Sequence, residues 1–371
     1  MKRLALFFTM FSFCLFAMAD GGVVGVLKKI GGYIDRSAKS GIDSTYIIVP
    51  KEPWQVMLKT NVNQTTYYLN SHMTNEPGEE EYDMNWKPQL TTGVRVSSGF
   101  WVGYRGYGLG YQKSIGKHDD INFMFSTCGS KYGFRVHLRH YDTSKILMDL
   151  SANFPNVEDP KYRHIEEEMD WELESPITVR TFFFEGYYLF NGKHYSNTAV
   201  FDQSTQQIKS AGSVMLGFTW FRSALEYANN KSFDFINFMN NVGRSKQWQY
   251  SMGVGYAYNW VPQRNWLLSI QAMPMLALIN GIRSWTYKME FPDIETLDEN
   301  DDYYPTLIPD KKETRRSKLM PSGMARVGVV YNNKRFFVNV MGQFNTYGYK
   351  NGENSVRLVD WFVNTSLGYR F

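Results

Sequence analysis

The chain has almost no cysteine, and this absence excludes a disulfide-stapled fold. It has 371 residues and only 2 cysteines. Cys14 lies in an apolar N-terminal run that we expect to be removed, so Cys128 would remain as a single thiol without a partner for an internal disulfide. Small exported domains usually need several disulfides to stabilise a small core, and the chain does not fit that class.

Long apolar runs and a charge excess are also missing. After Asp20 no window of about 18 consecutive apolar residues occurs, so the sequence predicts no transmembrane helix. The mean hydropathy is −0.40 and the formal net charge is only +4. The overall charge balance is therefore uninformative, and any argument about charge must be local. We expect no nucleic-acid partner.

Aromatic residues, in contrast, are abundant. They form 16% of the chain, with 26 Phe, 25 Tyr and 10 Trp. An aromatic excess without long apolar runs is typical of transmembrane β-barrels, because lipid-facing and lumen-facing residues alternate along each strand. The composition therefore favours an all-β membrane protein.

The N-terminus carries the signals of export. A positively charged start precedes the apolar stretch 4–16, and a small-x-small cleavage site follows it at 17–19. We expect cleavage before Asp20, which makes 1–19 a signal peptide; an uncleaved anchor is the alternative. Residues 20–53 are then expected to form a periplasmic segment or to pack in the lower lumen.

Period-two alternation recurs through residues 54–371 and predicts a transmembrane outer-membrane β-barrel of about twelve antiparallel strands. The clearest segment is WQYSMGVGYAYNW at 248–260, with aromatic or apolar residues on one face and small or amide residues on the other. An even strand number fits a single-chain bacterial barrel, and a soluble β-sandwich is the alternative architecture. The strands are predicted at 54–70, 89–98, 100–112, 120–128, 132–142, 177–190, 211–226, 248–260, 265–279, 323–332, 335–347 and 358–371.

The predicted connections alternate between short and long, as expected of periplasmic turns and outer loops. The short ones are at 98–99, 129–131, 262–264 and 332–334, and the long ones at 71–88, 143–176, 227–247 and 280–322. The stretch 191–210 breaks this rule, because it is too long for a turn on the periplasmic side. We expect it to fold under or into the barrel.

The last predicted strand ends with WFVNTSLGYRF at 361–371. Its alternating aromatic and apolar face is expected to meet lipid, and it resembles the signal that outer-membrane assembly machinery reads. We therefore predict an assembly signal at Leu367, Tyr369 and Phe371, and pairing of this strand with the first one. The expected partners are barrel-assembly machinery, outer-membrane lipid and lipopolysaccharide.

Several stretches resemble one protein family. They are DSTYIIVPKEPWQVMLKTNVNQTTYYLN at 43–70, EGYYLFNGKHYS at 185–196, QIKSAGSVMLGFTWF at 207–221 and the closing strand. In them the chain is similar to domain of unknown function 4421, a family of exported barrel proteins of Bacteroides-type bacteria. The resemblance implies a protein of the bacterial outer membrane. It implies no activity, site residue or cofactor, because the family has none established.

Basic residues recur on the strand faces that we assign to the lumen. An Arg that faced lipid at mid-depth would cost about 2–4 kcal/mol, so we place these residues inside, together with Lys59. Inner acids are scarce: Asp360 is one, and Glu185 has the opposite parity from Arg180. Arg370, at the lower rim, is expected to contact only solvent. The predicted basic cluster consists of Arg95, Arg105, Arg135, His137, Arg139, Arg180 and Arg326.

Three functions stay open. Guanidinium groups in a confined lumen attract small anions, which favours a narrow channel or transporter. The first alternative is a non-conducting structural or interaction barrel that is plugged by its loops. The second is an interfacial hydrolase, with His140, Asp142 and Ser144 as candidate residues. Because no G-x-S-x-G motif and no metal-ligand spacing occurs, we predict no enzyme, no metal and no cofactor.

Overall fold

The computed structural model describes residues 40–74, 83–116, 120–292, 303–317, 319–351 and 354–371. The predicted signal peptide lies outside these ranges. The strands are β1 (Ile47–Ile48), β2 (Trp54–Thr74), β3 (Asp83–Thr91), β4 (Arg95–Tyr104), β5 (Tyr107–Ser114), β6 (Ile121–Cys128), β7 (Tyr132–Asn153), β8 (His164–Leu189), β9 (Gln206–Gln207), β10 (Ala211–Glu226), β11 (Val242–Trp260), β12 (Trp266–Glu290), β13 (Thr306–Ser317), β14 (Met320–Asn333), β15 (Phe336–Asn351) and β16 (Asn354–Arg370).

Twelve of these strands close into one antiparallel ring. Around the ring the order is β2, β4, β5, β6, β7, β8, β10, β11, β12, β14, β15 and β16. β16 pairs with β2, and mutual backbone hydrogen bonds of 3.0 and 3.1 Å between Trp54 and Phe371 continue that seam. The predicted barrel and its number of strands are therefore confirmed.

The two faces of the ring have opposite chemistry. On β11 the outward side chains of Met252, Val254 and Tyr256 are 43%, 59% and 54% exposed, whereas the inward Gln249 and Ser251 are fully buried. A soluble protein places its apolar residues inside, and the reverse arrangement is stable when the outer face meets lipid. The β-sandwich alternative is excluded, and the chain is a transmembrane barrel of the bacterial outer membrane.

The two ends of the barrel differ in their connections. We call the end that holds Trp54 and Phe371 the lower end. Four of the five lower connections have two to five residues, and the fifth is the long segment between β8 and β10. Outer-membrane barrels have short periplasmic turns and longer outer loops, so the lower end faces the periplasm.

The stretch 89–112 folds differently from the prediction. The alternation predicts two strands with a turn at 98–99, but β3, β4 and β5 are present and residues 98–99 lie inside β4. The hairpin turn is at Arg105 and Gly106, which have φ angles of 51° and 90°. Tight two-residue hairpins need positive φ at both central residues, which favours glycine. Aromatic residues continue through this turn, so periodicity alone hides it.

Several strands continue far above the membrane. A tilted strand needs about 9–11 residues to cross a bilayer, yet β8 has 26 residues and β12 has 25. The predicted loops 143–176 and 280–322 are therefore largely strand: β7 and β8 form an extended hairpin, and β13 pairs with the upper part of β12. Above the short strands β4, β5 and β6, β3 bridges β2 and β7. The extended strands form a wall around a cup.

Two short α-helices lie inside this frame. They are α1 (Thr198–Phe201), in the long connection between β8 and β10, and α2 (Phe233–Phe238), in the upper connection between β10 and β11. In the part of the chain that the structure describes, no helix is long and apolar enough to cross a membrane. All four residues of α1 are buried, as are Phe235 and Ile236 of α2. Both helices therefore contribute to the filling of the lumen.

Candidate functional site

The lower lumen is filled by the segment 191–210, which we call the plug. Gln271 of β12 donates a hydrogen bond of 2.7 Å to the hydroxyl of Tyr195. Asn339 of β15 donates one of 3.0 Å to the carbonyl of Val200. β12 and β15 lie on the same side of the ring, with only β14 between them, so these bonds hold the plug against that part of the wall. The plug begins after β8, on a different part of the ring, and therefore crosses the lumen to reach it. The expectation that 191–210 folds into the barrel describes this arrangement.

Arg370 is part of the plug contact, and the expectation that it meets only solvent is wrong. Its side chain is 1% exposed, and its guanidinium donates a hydrogen bond of 2.7 Å to the plug carbonyl of Gln203. It also donates to the side chain of Asn332 at 2.9 Å, and it lies 4.4 Å over the ring of Phe337. Arg370 therefore holds the plug against the lower wall.

Polar side chains of the plug form hydrogen bonds within the plug itself. The hydroxyls of Ser196, Thr198 and Thr205 satisfy one another at 2.6–3.0 Å, and the side chain of Gln207 accepts the backbone N–H of Ser196 at 2.9 Å. Buried polar groups cost free energy unless they are hydrogen-bonded. Because of these local bonds, the polar plug can be buried inside the barrel. Its tip, Phe201, lies at mid-lumen.

The N-terminal segment closes the lower end beside the plug. β1 pairs with β9 of the plug, and the backbone N–H of Asp43 donates to the carbonyl of Lys193 at 2.9 Å. The pKa of Asp43 lies below its usual value, mainly because the backbone N–H of Thr45 donates to this carboxylate, with a smaller contribution from His194. Residues 40–53 thus lie at the lower lumen, which is one of the two positions expected for the N-terminal segment.

The middle of the lumen holds an ion-pair layer. Arg326 of β14 binds Glu185 of β8, Gln343 donates to the same carboxylate at 2.9 Å, and Arg135 lies 3.8 Å from it. β8 and β14 are not neighbours in the ring, so this contact spans the lumen. Phe201, the tip of the plug, lies 5.5 Å from the Arg135 guanidinium and 5.3 Å from that of Arg326.

A second ion pair belongs to the same layer. Arg139 of β7 binds Asp360 of β16 at 2.6 Å, and both side chains are buried. Thr65 and Asn345 donate to the same carboxylate at 2.8 and 3.3 Å. A buried ion pair is tolerated when further hydrogen bonds satisfy the remaining oxygen atoms. Glu185 and Asp360 therefore neutralise much of the basic cluster that the sequence predicts.

Above the ion pairs lies an aromatic layer. Phe221 and Tyr347 stack with their ring centroids 4.5 Å apart, and Phe183 lies 5.0 Å from Phe221. The hydroxyl groups of Tyr67 and Ser223 are 2.7 Å apart and bridge β2 and β10. These side chains pack in one cluster with the buried residues of α2. The upper lumen is therefore apolar and filled.

A small cavity remains beside the ion-pair layer. It has a volume of about 30 Å³ and is lined by Lys59, Arg135, His137 and Arg139, among others. Nε2 of His137 has no hydrogen-bond partner within the described residues. The ammonium of Lys59 lies 5.3 Å from the ring of Trp101. A cavity of this size holds one or two water molecules, and it is far too small for a solute path.

The upper end opens into a cup of about 1000 Å³. Its lining combines apolar side chains with charges of both signs. The apolar residues include Leu69, Leu90, Leu225, Tyr227, Met289 and Val356. The charged residues are Lys288, Glu290, Asp310, Lys311, Glu313 and Arg315.

The predicted basic cluster is only partly assembled. Arg135, His137, Arg139 and Arg326 meet at mid-lumen, as described above. Arg95 lies higher and pairs with Asp120 at 2.7 Å. Arg105 lies at the lower turn, where it donates to the backbone carbonyls of the N-terminal segment at Pro50 and Lys51.

The inward assignment of Arg180 is wrong. Arg180 is exposed on the outer wall, whereas Glu185 on the same strand is buried in the lumen. Three phenylalanines in a row, at 182–184, leave the parity of this strand ambiguous in the sequence. Arg180 lies at the upper edge of the lipid-facing band, where an outward Arg costs only about 0–1 kcal/mol.

The hydrolase candidates lie together on the outer wall of β7. His140, Asp142 and Ser144 share the outward face, and the hydroxyl of Ser144 donates to Glu172 at 3.4 Å. No hydrogen bond between these three side chains occurs in the described structure. Likewise, across the described ranges no three His, Cys, Asp or Glu side chains gather where they could hold a metal ion.

The predicted assembly residues lie on the outward face of β16. Leu367 and Phe371 are 55% and 56% exposed. Tyr369 lies 4.9 Å from the ring of Phe336 and 6.5 Å from that of Phe371. The rings of Phe336, Tyr369 and Phe371 form an aromatic patch at the lower edge of the barrel, beside the seam with β2.

A family model matches residues 41–371, and its description is Domain of unknown function (DUF4421). The chain belongs to the DUF4421 family. The resemblance noted in the sequence is thereby confirmed, and the Bacteroides-type origin stays a prediction. A search of curated protein sequences finds no match for this DUF4421 chain.

Solved outer-membrane proteins align with the DUF4421 chain at low identity. The protease OmpT of Escherichia coli is 9% identical over 87% of this chain and 97% of its own, with a TM-score of 0.40. The translocator domain of the autotransporter NalP of Neisseria meningitidis is 9% identical over 94% and 97%, with a TM-score of 0.32. OprG of Pseudomonas aeruginosa is 7% identical over 87% and 99%, with a TM-score of 0.25. Similarity at this level carries no argument about activity.

Proposed function

We propose that this protein is a non-conducting outer-membrane barrel that binds an amphipathic ligand in its outer cup. The observation that carries the proposal is the filling of the lumen at three levels, by the plug, the ion-pair layer and the aromatic layer. Side chains alone just fill a barrel of eight strands, so twelve strands need the additional plug. This filling favours the plugged alternative over the anion channel.

The ion pairs support the same function. An anion-selective pore needs cationic groups that face the solute path. Arg326 and Arg135 instead share the carboxylate of Glu185, and Arg139 holds Asp360. These guanidinium groups therefore connect walls of the barrel, and we assign them a structural role.

The cup has the properties of a ligand site. Binding pockets for small molecules have volumes of about 300–1,000 Å³ and combine apolar walls with a few polar groups. The cup is at the upper end of this range, at about 1000 Å³. Its apolar lining would bind the hydrophobic part of a ligand, and its charged lining would bind a polar or zwitterionic part.

Conductance in planar bilayers tests the closed lumen. We expect no stepwise single-channel current from the purified, folded protein, because the three filled levels leave no hydrated path among the residues that the structure describes. A general porin recorded in the same bilayers serves as the positive control. Reproducible current steps of porin size would overturn the proposal.

Fluorescence of 1-anilinonaphthalene-8-sulfonate, an amphipathic anion, tests the cup. We expect saturable binding to the protein in lipid nanodiscs, after subtraction of empty nanodiscs. Met289→Glu places a charge on the apolar lining and should weaken binding, whereas Tyr162→Glu, at the exposed tip of the β7–β8 hairpin, should not. Equal binding by both variants and the wild type would contradict a ligand site in the cup.

A further inference from the structure

A dense group of cations lies on the outer wall, outside the lumen and the cup. Cross-strand register places three rows of outward side chains side by side on β8, β10, β11 and β12. We call these rows the rim patch. From bottom to top they are Phe182, Arg222, Trp248 and Gly281; Arg180, Ala224, Lys246 and Arg283; and Thr178, Glu226, Arg244 and Trp285.

The rim patch carries five cations and one acid. The acid is Glu226, which lies 3.9 Å from Arg244. Lys246 and Arg283 are direct cross-strand partners, and like charges in that position destabilise a sheet. Binding of an external anion would relieve this repulsion.

The tryptophans bring the cations together. The ring of Trp285 has the Arg244 guanidinium at 5.0 Å and the Lys246 ammonium at 5.3 Å. The ring of Trp248 has the Arg283 guanidinium at 5.8 Å. Such cation–π contacts hold cationic groups at an aromatic face, so the positive charge is concentrated and half-buried against the wall.

The height of the patch matches lipid headgroups. On β11 the outward face runs from Trp260 at the lower edge to Trp248, twelve residues away. At roughly 3.3 Å per residue and a tilt of about 40°, this distance is about 30 Å along the membrane normal. The apolar band of an outer-membrane barrel is about 25 Å tall and ends at aromatic girdles. Lys246 and its row therefore lie directly above the band, at the level of the outer-leaflet headgroups.

We propose that the rim patch binds the phosphate groups of outer-leaflet lipopolysaccharide. Arg and Lys side chains bind phosphate oxygens through charge-assisted hydrogen bonds, and the girdle of Phe182, Trp220 and Tyr250 below them contacts the acyl chains of the same lipid. The rings of Phe182 and Trp220 are 4.7 Å apart, and those of Trp220 and Tyr250 are 5.6 Å apart. This site is independent of the cup, so it stands whether or not the cup binds a ligand.

Native mass spectrometry and lipid titration in an uncharged detergent test the site. The probes are phosphorylated lipid A, the same lipid A after removal of its phosphates, and inorganic phosphate. The variant Arg222→Gln/Lys246→Gln/Arg283→Gln removes three rim cations. The matched control Lys131→Gln/Lys193→Gln/Arg264→Gln removes three exposed cations at the lower end, and Arg222→Lys/Arg283→Lys keeps the charge of the patch.

We expect the wild type, the control and the Lys variant to prefer phosphorylated lipid A. The three Gln substitutions should weaken its binding on the order of a hundredfold, from the contribution of each cation near an anionic lipid surface. Heat-modified gel migration verifies that each variant is folded. If the Gln variant is unfolded, the proposal is judged by the wild type alone, from its preference for phosphorylated over dephosphorylated lipid A. Equal binding of both lipid A forms, or undiminished binding by the folded Gln variant, would overturn the proposal. Displacement of lipid A by inorganic phosphate at the same concentration as the lipid would also overturn the proposal, because the site would then bind free phosphate.

Discussion

Arg326 on β14 and Glu185 on β8 form an ion pair across the lumen, between strands that are not neighbours in the ring. The pair lies beneath the aromatic layer and against Phe201 of the plug. Its two partners come from strands with three others between them in the ring, so it acts as a brace inside the barrel. In the membrane-spanning region, such a brace and the plug replace the hydrophobic core that a soluble domain would have.

Removal of Glu185 should strongly destabilise the barrel. Glu185→Gln leaves Arg326 and Arg135 without their carboxylate, and breaking a buried pair costs about 3–5 kcal/mol. Urea unfolding in lipid vesicles, followed by tryptophan fluorescence, measures the loss. Glu313→Gln is the matched control, because the Glu313–Arg315 pair is about half exposed and such pairs contribute about 0–1 kcal/mol. Equal unfolding free energies for the two variants would contradict a bracing role.

Replacement of Lys59 should be neutral or stabilising. Lys59 is buried and, within the described residues, it forms no ion pair; its ammonium lies over Trp101. A hydrophobic residue of similar volume removes the cost of desolvating the charge, so Lys59→Met should unfold at the same or higher urea concentration. Arg139→Met is the comparison, and it should destabilise because it leaves Asp360 buried and unpaired. A clear loss of stability in Lys59→Met would contradict this expectation.

The turn between β4 and β5 should depend on Gly106. Its φ of 90° lies in a region that L-residues with a Cβ rarely adopt, so Gly106→Ala should cost on the order of 1 kcal/mol in the free energy of unfolding. Gly186→Ala is the control, because a Cβ there would make only an ordinary contact of 3.5 Å with Phe184. The same urea titration compares them, and an equal effect would count against the strained turn.

Phe371 should promote insertion into the outer membrane. Its ring and that of Tyr369 form the outward aromatic patch beside the seam, and we predict that assembly machinery binds it. Phe371→Ser should lower the folded fraction in outer-membrane preparations, measured by heat-modified migration. Phe336→Ser removes another exposed aromatic of the same patch. If both substitutions lower insertion equally, the effect belongs to general lipid anchoring.

Much of the architecture could be predicted from the chain alone. Period-two alternation is a local property, because successive side chains of a strand point to opposite faces. It therefore predicts nearly all the strands of the ring, their number and the lipid-facing side of segments such as 248–260. It also placed Arg135, His137, Arg139 and Arg326 on one inner surface, where the structure brings them together.

Predictions from period-two alternation are wrong where the alternation does not distinguish a turn from a strand or one strand face from the other. The turn at Arg105 and Gly106 interrupts a continuous aromatic alternation, and the phenylalanine run beside Arg180 is compatible with either parity. The extensions of β7, β8 and β12 above the membrane fall in segments that the sequence predicts as loops. Their outward face is polar there, so the lipid-facing alternation ends, although inward residues such as Ile146 and Leu173 are buried.

Sequence by itself determined the class of this protein, since alternation, aromatic girdles and the signals of export are encoded within short stretches. Tertiary structure decided how the lumen is filled. That outcome depends on the partners of each arginine and on the path of the plug, which join residues more than a hundred positions apart, such as Glu185 with Arg326 and Val200 with Asn339. Closure of the ring brings these residues together, and no local periodicity specifies such long-range contacts.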